Sequence, residues 1–154
     1  MVKQLKVCFA ASSGGHLEEM SRLSSLVQEG DFVLTERSEM AALDWCKNIV
    51  YVPQMNRREW LFILKFIWLF LKSFYWMIKE KPDAIVSTGA LITYPICLIG
   101  KMFGKRVIYI ESFARVDQSS LTGKLLYKIA DIFIVQWKEM LKVYPHAIYG
   151  GGIF

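Results

Sequence analysis

Cysteine is sparse in this chain. There are 3 in 154 residues, an odd number and too few for a disulfide framework. Cys8, Cys46 and Cys97 stand far apart, without metal-ligand spacing. They read as small buried hydrophobes of a reducing cytosol. No cluster of His, Cys, Asp and Glu marks a metal site, and no Ser-His-Asp or Cys-His order marks a nucleophile. No linker, low-complexity stretch or internal repeat divides the sequence, so 1–154 reads as one domain of the usual length of about 150 residues. The first apolar run, 7–11, leads straight into Gly-Gly. It is too short for a signal peptide and reads as a buried strand. Acidic residues are outnumbered, 14 against 19 basic, giving a net charge of +5. The basic residues are scattered or line one helix, and no RNP, helix-turn-helix or zinc pattern accompanies them, which argues against nucleic acid.

Apolar mass is what the chain has in excess. Hydrophobic residues make up 54%, against about 45–50% in soluble domains on a slightly different count. This excludes intrinsic disorder. Short apolar runs alternate with helical spacing. The expected strands are 5–11, 31–35, 48–52, 84–87, 106–110 and 132–135. The expected helices are 16–29 capped by Gly30, a short one from Ser38 to about Cys46, a long one over about 58–80, 91–103 capped by Gly104, and one from Ser119 or Ser120 to about Ala130. Strands alternating with helices predict right-handed βαβ crossovers and an α/β, Rossmann-like parallel sheet with helices on both faces.

The 58–80 helix is apolar over far more than the stripe of about 100° that packing on a sheet requires. Arg58, Lys65, Lys72 and Lys79 recur every seven residues, one stripe drifting about 20° per heptad. A spanning helix needs about 20 apolar residues with few charges, and two of these lysines sit mid-segment. A helix lying in the membrane interface fits better. Trp60, Phe62, Trp68, Phe70 and Trp76 would enter the acyl boundary, while Lys65 and Lys72 reach anionic headgroups. A protein-facing surface and a well-buried core helix are the rival readings.

Ligands of such sheets sit beyond the carboxyl ends of the strands. Three loops fall there. Ser13, Gly14 and Gly15 precede a helix led by His16, without a dinucleotide fingerprint or a Walker lysine. This suits a phosphate or diphosphate, and His16 is either a helix-end contact or a base. Thr88 and Gly89 form a second small-residue turn, structural or phosphate-binding. Glu111 and Arg115 follow the fifth strand, as a structural pair or as a hydroxyl- and phosphate-orienting pair.

SGGH at 13–16, STG at 87–89, YIESFARV at 109–116, SLTGK at 120–124 and DIFIVQW at 131–137 occur in this order. Together they resemble the membrane-recruiting subunit of split GT-B glycosyltransferases. This PssD-type polysaccharide-biosynthesis subunit is similar to the eukaryotic Alg-type anchor of the dolichol-linked N-acetylglucosaminyltransferase and to the N-terminal half of MurG. The resemblance implies one half of a GT-B enzyme at the cytoplasmic face of a bacterial membrane, peripheral or monotopic, holding a lipid-diphosphate-linked acceptor. A PssE-like catalytic chain would hold most of the UDP-sugar donor, which enters as substrate, with no cofactor or metal. It also implies that Gly14, Gly15 and His16 form the acceptor-side loop and that Glu111 to Arg115 line the interdomain cleft. With the loop reading this makes His16 or Glu111 the candidate base and sets Ser13, Gly14, Gly15, Thr88, Gly89 and Arg115 at the diphosphates. The Gly-rich end, about 145–154, reads as an arm that docks the partner. A stand-alone small transferase and a non-catalytic membrane scaffold are the alternatives.

Overall fold

The computed structural model describes residues 4–37 and 43–153. Its apolar runs form seven strands: β1 (Val7–Ala11), β2 (Phe32–Glu36), β3 (Ile49–Val52), β4 (Ala84–Gly89), β5 (Arg106–Ile110), β6 (Ile132–Val135) and β7 (Ile148–Tyr149). They pair in the order β3-β2-β1-β4-β5-β6-β7, all parallel. The crossovers carry helices α1 (Gly15–Ser21), α2 (Phe62–Glu80), α3 (Tyr94–Met102) and α4 (Leu121–Leu126). The strand order reverses between β1 and β4, where doubly wound sheets open their ligand crevice.

One sheet face is covered by α2, α3 and α4. Leu69 and Met77 of α2, Ile96 and Cys97 of α3 and Leu126 of α4 pack on Ile85, Val107, Tyr109 and Phe133. On the other face, Leu17 and Met20 of α1 pack with Phe9, Val33 and Cys46. This second cover stops short of the far strands, where Ile132 and Ile148 are 40% and 56% exposed. The three cysteines are buried and free. Burial pushes the Cys97 thiol up to about 12 and the Cys8 thiol well above its usual range, the condition of an inert packing thiol.

The amino ends of the strands share one device. Asp31, Asp83 and Asp131 precede β2, β4 and β6, and their carboxylates accept the first free amides of the neighbouring strand from Val7, Lys6 and Val107. Burial pushes Asp131 up, but bonds from Lys101 and Val107 and the charges of Lys101 and Arg106 hold its carboxyl below the usual value.

Several boundaries differ from expectation. α1 ends at Ser21, whose hydroxyl donates to Glu18 O at 2.7 Å. A 3-10 turn over Ser24–Leu26 follows. Serines compete in this way for helical carbonyls. Gly30, at φ +97°, serves the turn into β2 instead of a helix end. α2 begins at Phe62, because a turn closed by Asn56 occupies the residues before it. It ends at left-handed Lys81, just before Pro82. The helix expected from Ser38 lies largely outside the described residues. The Gly-rich end is no free arm: Ile148–Tyr149 extends the sheet beside β6.

Candidate functional site

His16 is seated at the switch point by the end of β4. Its Nδ1 lies 2.9 Å from the Thr88 carbonyl, and Thr88 Oγ1 donates to His16 O at 2.7 Å. A carbonyl can only accept, so Nδ1 carries a proton, and in the neutral ring Nε2 is the acceptor. Gly89 stands at φ +124°, and a Cβ there would lie 2.7 Å from His16 Cε1. This corrects the sequence expectation for Thr88 and Gly89. Both are buried and engaged in holding His16, so they do not present free groups to a diphosphate.

Ser12, His16, Glu36, Arg57, Phe62 and Ala90 line a cavity of about 310 Å³ beside this histidine. Ala90 takes φ +71°, a left-handed strain that non-glycine residues retain mainly where surroundings enforce it. Glu36, buried at the end of β2, accepts the Met55 amide at 2.8 Å and the Ser13 hydroxyl at 3.3 Å. It thereby joins the glycine turn to the segment leading into α2. At the turn itself, Gly14 has φ +87°, and neither Gly14 nor Gly15 has any atom within 4 Å of an added Cβ. The turn is open space that a ligand can approach. A second hollow, of about 320 Å³, lies at the opposite end of the sheet around Gln28, Asp31 and Trp45, away from this chemistry.

Glu111 is only 1% exposed. Its carboxylate accepts from Tyr144 OH at 2.9 Å, Ser120 Oγ at 2.9 Å, Tyr109 OH at 3.1 Å and Ser112 N at 3.2 Å. Burial, then the charge of Glu111, pushes the Tyr109 and Tyr144 hydroxyls above the usual tyrosine value. Both therefore remain donors. A carboxylate so enclosed cannot meet a substrate hydroxyl, which corrects the expectation of a general base. Glu111 positions the loop after β5, and Arg115 on that loop is exposed rather than paired with it. Replacing Glu111 by Ala orphans two buried tyrosine hydroxyls and should cost about 3 kcal/mol. A lower urea midpoint at unchanged m-value is the expected result. Gly123 is part of the same enclosure, since a Cβ there would lie 2.0 Å from Glu111 Oε2.

The outer surface of α2 is apolar. Trp60, just ahead of the helix, is 89% exposed, and Ile63, Leu64, Ile67, Leu71, Phe74, Tyr75 and Ile78 are exposed along it. Met102 and Phe103 at the end of α3 continue the patch, with Phe103 edge-on to Phe74. Lys72 lies 4.1 Å above the Trp68 ring and Lys79 lies 4.5 Å above Trp76, while Lys65 pairs with Glu59. Two residues expected to face the membrane point the other way. Phe70 packs on the core and meets Tyr94 edge-on, and Trp76 packs there too. Phe62 stacks on Phe66. Trp68 is exposed as expected. Among the described residues, no helix is long and apolar enough to cross a membrane.

A family description, oligosaccharide biosynthesis protein Alg14 like, matches residues 7–153. The UDP-N-acetylglucosamine transferase subunit ALG14 of Mus musculus is 30% identical over 98% of this chain and 84% of its own length. That of Rattus norvegicus is 32% identical over the same shares. Among solved structures, Acinetobacter baumannii MurG superposes with a TM-score of 0.66 at 19% identity, over 84% of this chain and 41% of MurG. The UDP-N-acetylglucosamine 2-epimerase of Rickettsia bellii superposes at 0.70 and 14% identity, over 97% of this chain and 45% of the epimerase. The chain spans less than half the length of either structure. At these identities the likeness is one of fold, the Rossmann-like half of a GT-B architecture.

Proposed function

The chain belongs to the Alg14 family, and on that premise we propose that it is the acceptor-side, membrane-seated subunit of a two-chain glycosyltransferase. A separate PssE-type chain supplies most of the UDP-sugar site. The product is a lipid-diphosphate-linked oligosaccharide for cell-surface polysaccharide, made at the cytoplasmic face of a bacterial membrane. The observation that carries this reading is a single juxtaposition. The cavity lined by Ser12, His16 and Arg57, of which Ser12 and His16 flank the open glycine turn, is also lined by Phe62, where the exposed apolar face of α2 begins. A lipid tail on α2 and its diphosphate near Arg57 and the turn would bring the acceptor sugar toward His16.

The chemistry is a direct displacement. His16 Nε2 removes the proton from an acceptor hydroxyl as that oxygen bonds to the anomeric carbon and the bond to UDP breaks. Ser13, Gly14, Gly15 and Arg57 hold the acceptor diphosphate, while Glu111 keeps the neighbouring loop in place. The donor is a substrate, and no resident cofactor enters the scheme.

Co-expression with a PssE-type chain, followed by assay with labelled UDP-N-acetylglucosamine and a membrane lipid-diphosphate acceptor, tests the reading. Transfer that requires both chains is expected. Transfer by this chain alone would mean a stand-alone enzyme. Full activity of a complex carrying His16→Ala would reduce this chain to a scaffold.

A further inference from the structure

Another buried carboxylate lies one turn beyond His16 on α1. Glu19 is 4% exposed, and nothing in the scheme above uses it. Its Oε1 accepts Ser112 Oγ at 2.8 Å and Phe113 N at 3.2 Å, and its Oε2 accepts Gln136 Nε2 at 3.0 Å. These donors are neutral: a hydroxyl, a backbone amide and a side-chain amide. Burying a carboxylate is costly even when its lone pairs are filled, and an apolar residue would pack α1 on the loop without that cost. What the charge adds is direction.

A carboxylate only accepts, so it fixes which end of the Gln136 amide faces it. With Nε2 donating to Glu19 and also to Glu111 O at 3.0 Å, Oε1 is left to accept Ile153 N at 2.9 Å. Gly152 lies against the Phe113 ring, and Trp137 Nε1 donates to Phe113 O at 2.7 Å. The helix that carries His16, the loop after β5 and the 150–153 segment thus meet at one side chain.

We propose that Glu19 is a positioning residue. Its charge orders a hydrogen-bond chain through Ser112, Phe113 and Gln136 that locks the loop after β5 and the 150–153 segment onto α1, and so fixes where His16 stands in the cleft. This rests on the reading of His16 above only for its catalytic consequence.

Glu19→Gln is nearly isosteric but keeps one acceptor oxygen where Glu19 has two, so its new amide meets either Gln136 Nε2 or Phe113 N. In the first case the Gln136 amide must turn, which sets its Nε2 against the Ile153 amide and its Oε1 against Glu111 O; in the second the Phe113 amide loses its acceptor. In the folded chain alone, amide exchange at Phe113, at Ile153 or at both should quicken about tenfold or more in Glu19→Gln. Gln136→Leu should quicken Ile153 and leave Phe113 near the wild-type rate. In the two-chain complex, Glu19→Gln should lower kcat about tenfold with the KM for UDP-sugar within about twofold. Wild-type exchange at both amides in Glu19→Gln overturns the proposal. So does faster exchange with unchanged kcat, which would mark Glu19 as structural only. If the wild-type complex transfers no sugar, the functional reading fails, while the two exchange patterns still decide the ordering role of Glu19.

Discussion

Serine in place of Trp60, Leu64, Ile67 and Leu71 together is expected to lower binding to anionic vesicles about a thousandfold while leaving the fold intact. All four side chains are exposed, so their removal takes nothing from the core. Full burial of such a side chain is worth about 1.5–3 kcal/mol. Partial entry into the headgroup boundary gives about 1 kcal/mol each, hence about 4 kcal/mol for the four. The lysines add a second, separable contribution. Lys72 and Lys79 lie over the Trp68 and Trp76 rings, which sets their ammonium groups at the border of the apolar face. Neutralising both to Gln should cost about 1 kcal/mol per residue and flatten the salt dependence of binding. A vesicle co-sedimentation series with a parallel urea melt decides the matter. Unchanged sedimentation of the four-serine variant would assign the face to a protein partner instead of a bilayer. Phe70→Ser is the contrasting control: it should unfold the chain before binding can be read, since Phe70 packs on the core.

That contrast shows what the sequence made legible and what it did not. β5 and β6 span 106–110 and 132–135 as expected, because after Arg106 each is an unbroken run of β-branched and aromatic residues closed by a polar one. The spacing of Lys65, Lys72 and Lys79 correctly announced a helix with too much apolar surface. It did not tell which apolar residues face the sheet. In a helix apolar nearly all round, that choice is set by where Leu69, Ser73 and Met77 meet the core, a tertiary matter. The site divides in the same way. His16 stood out after its paired glycines at the end of a strand, but its seat on the Thr88 carbonyl, 72 positions away, was not legible. Glu111 stood out at a strand end, but its enclosure was not legible, since it depends on Tyr144, 33 positions away. Glu19 and Glu36 carry no signal in the sequence. Their partners, Ser112 and Met55, lie 93 and 19 residues further along, and no local spacing signals such bonds. The seventh strand escaped notice because two residues beside a run of glycines carry no periodicity.

His16→Asn should leave the complex folded and assembled and lower kcat by about 10²–10⁴-fold, the range that a positioned proton acceptor contributes. Asparagine is the informative choice. Its side-chain amide reaches about as far as Nδ1 and can donate to the Thr88 carbonyl that now holds the ring. The bond that fixes the start of α1 therefore survives, while the acceptor at Nε2 is lost. The KM for the lipid-diphosphate acceptor should move less than about threefold, because an interaction made in the transition state lowers kcat and kcat/KM together. Gly89→Ala reaches the same ring from the other side. At φ +124°, with a Cβ 2.7 Å from Cε1, alanine displaces the imidazole without removing it, so kcat should again fall. Here stability should fall as well, because the backbone is strained. A base supplied by the partner chain gives the opposite pattern: near wild-type kcat in His16→Asn, with any loss in Gly89→Ala following the melting temperature alone. The two variants together therefore separate the position of the histidine from its chemistry, as neither does by itself.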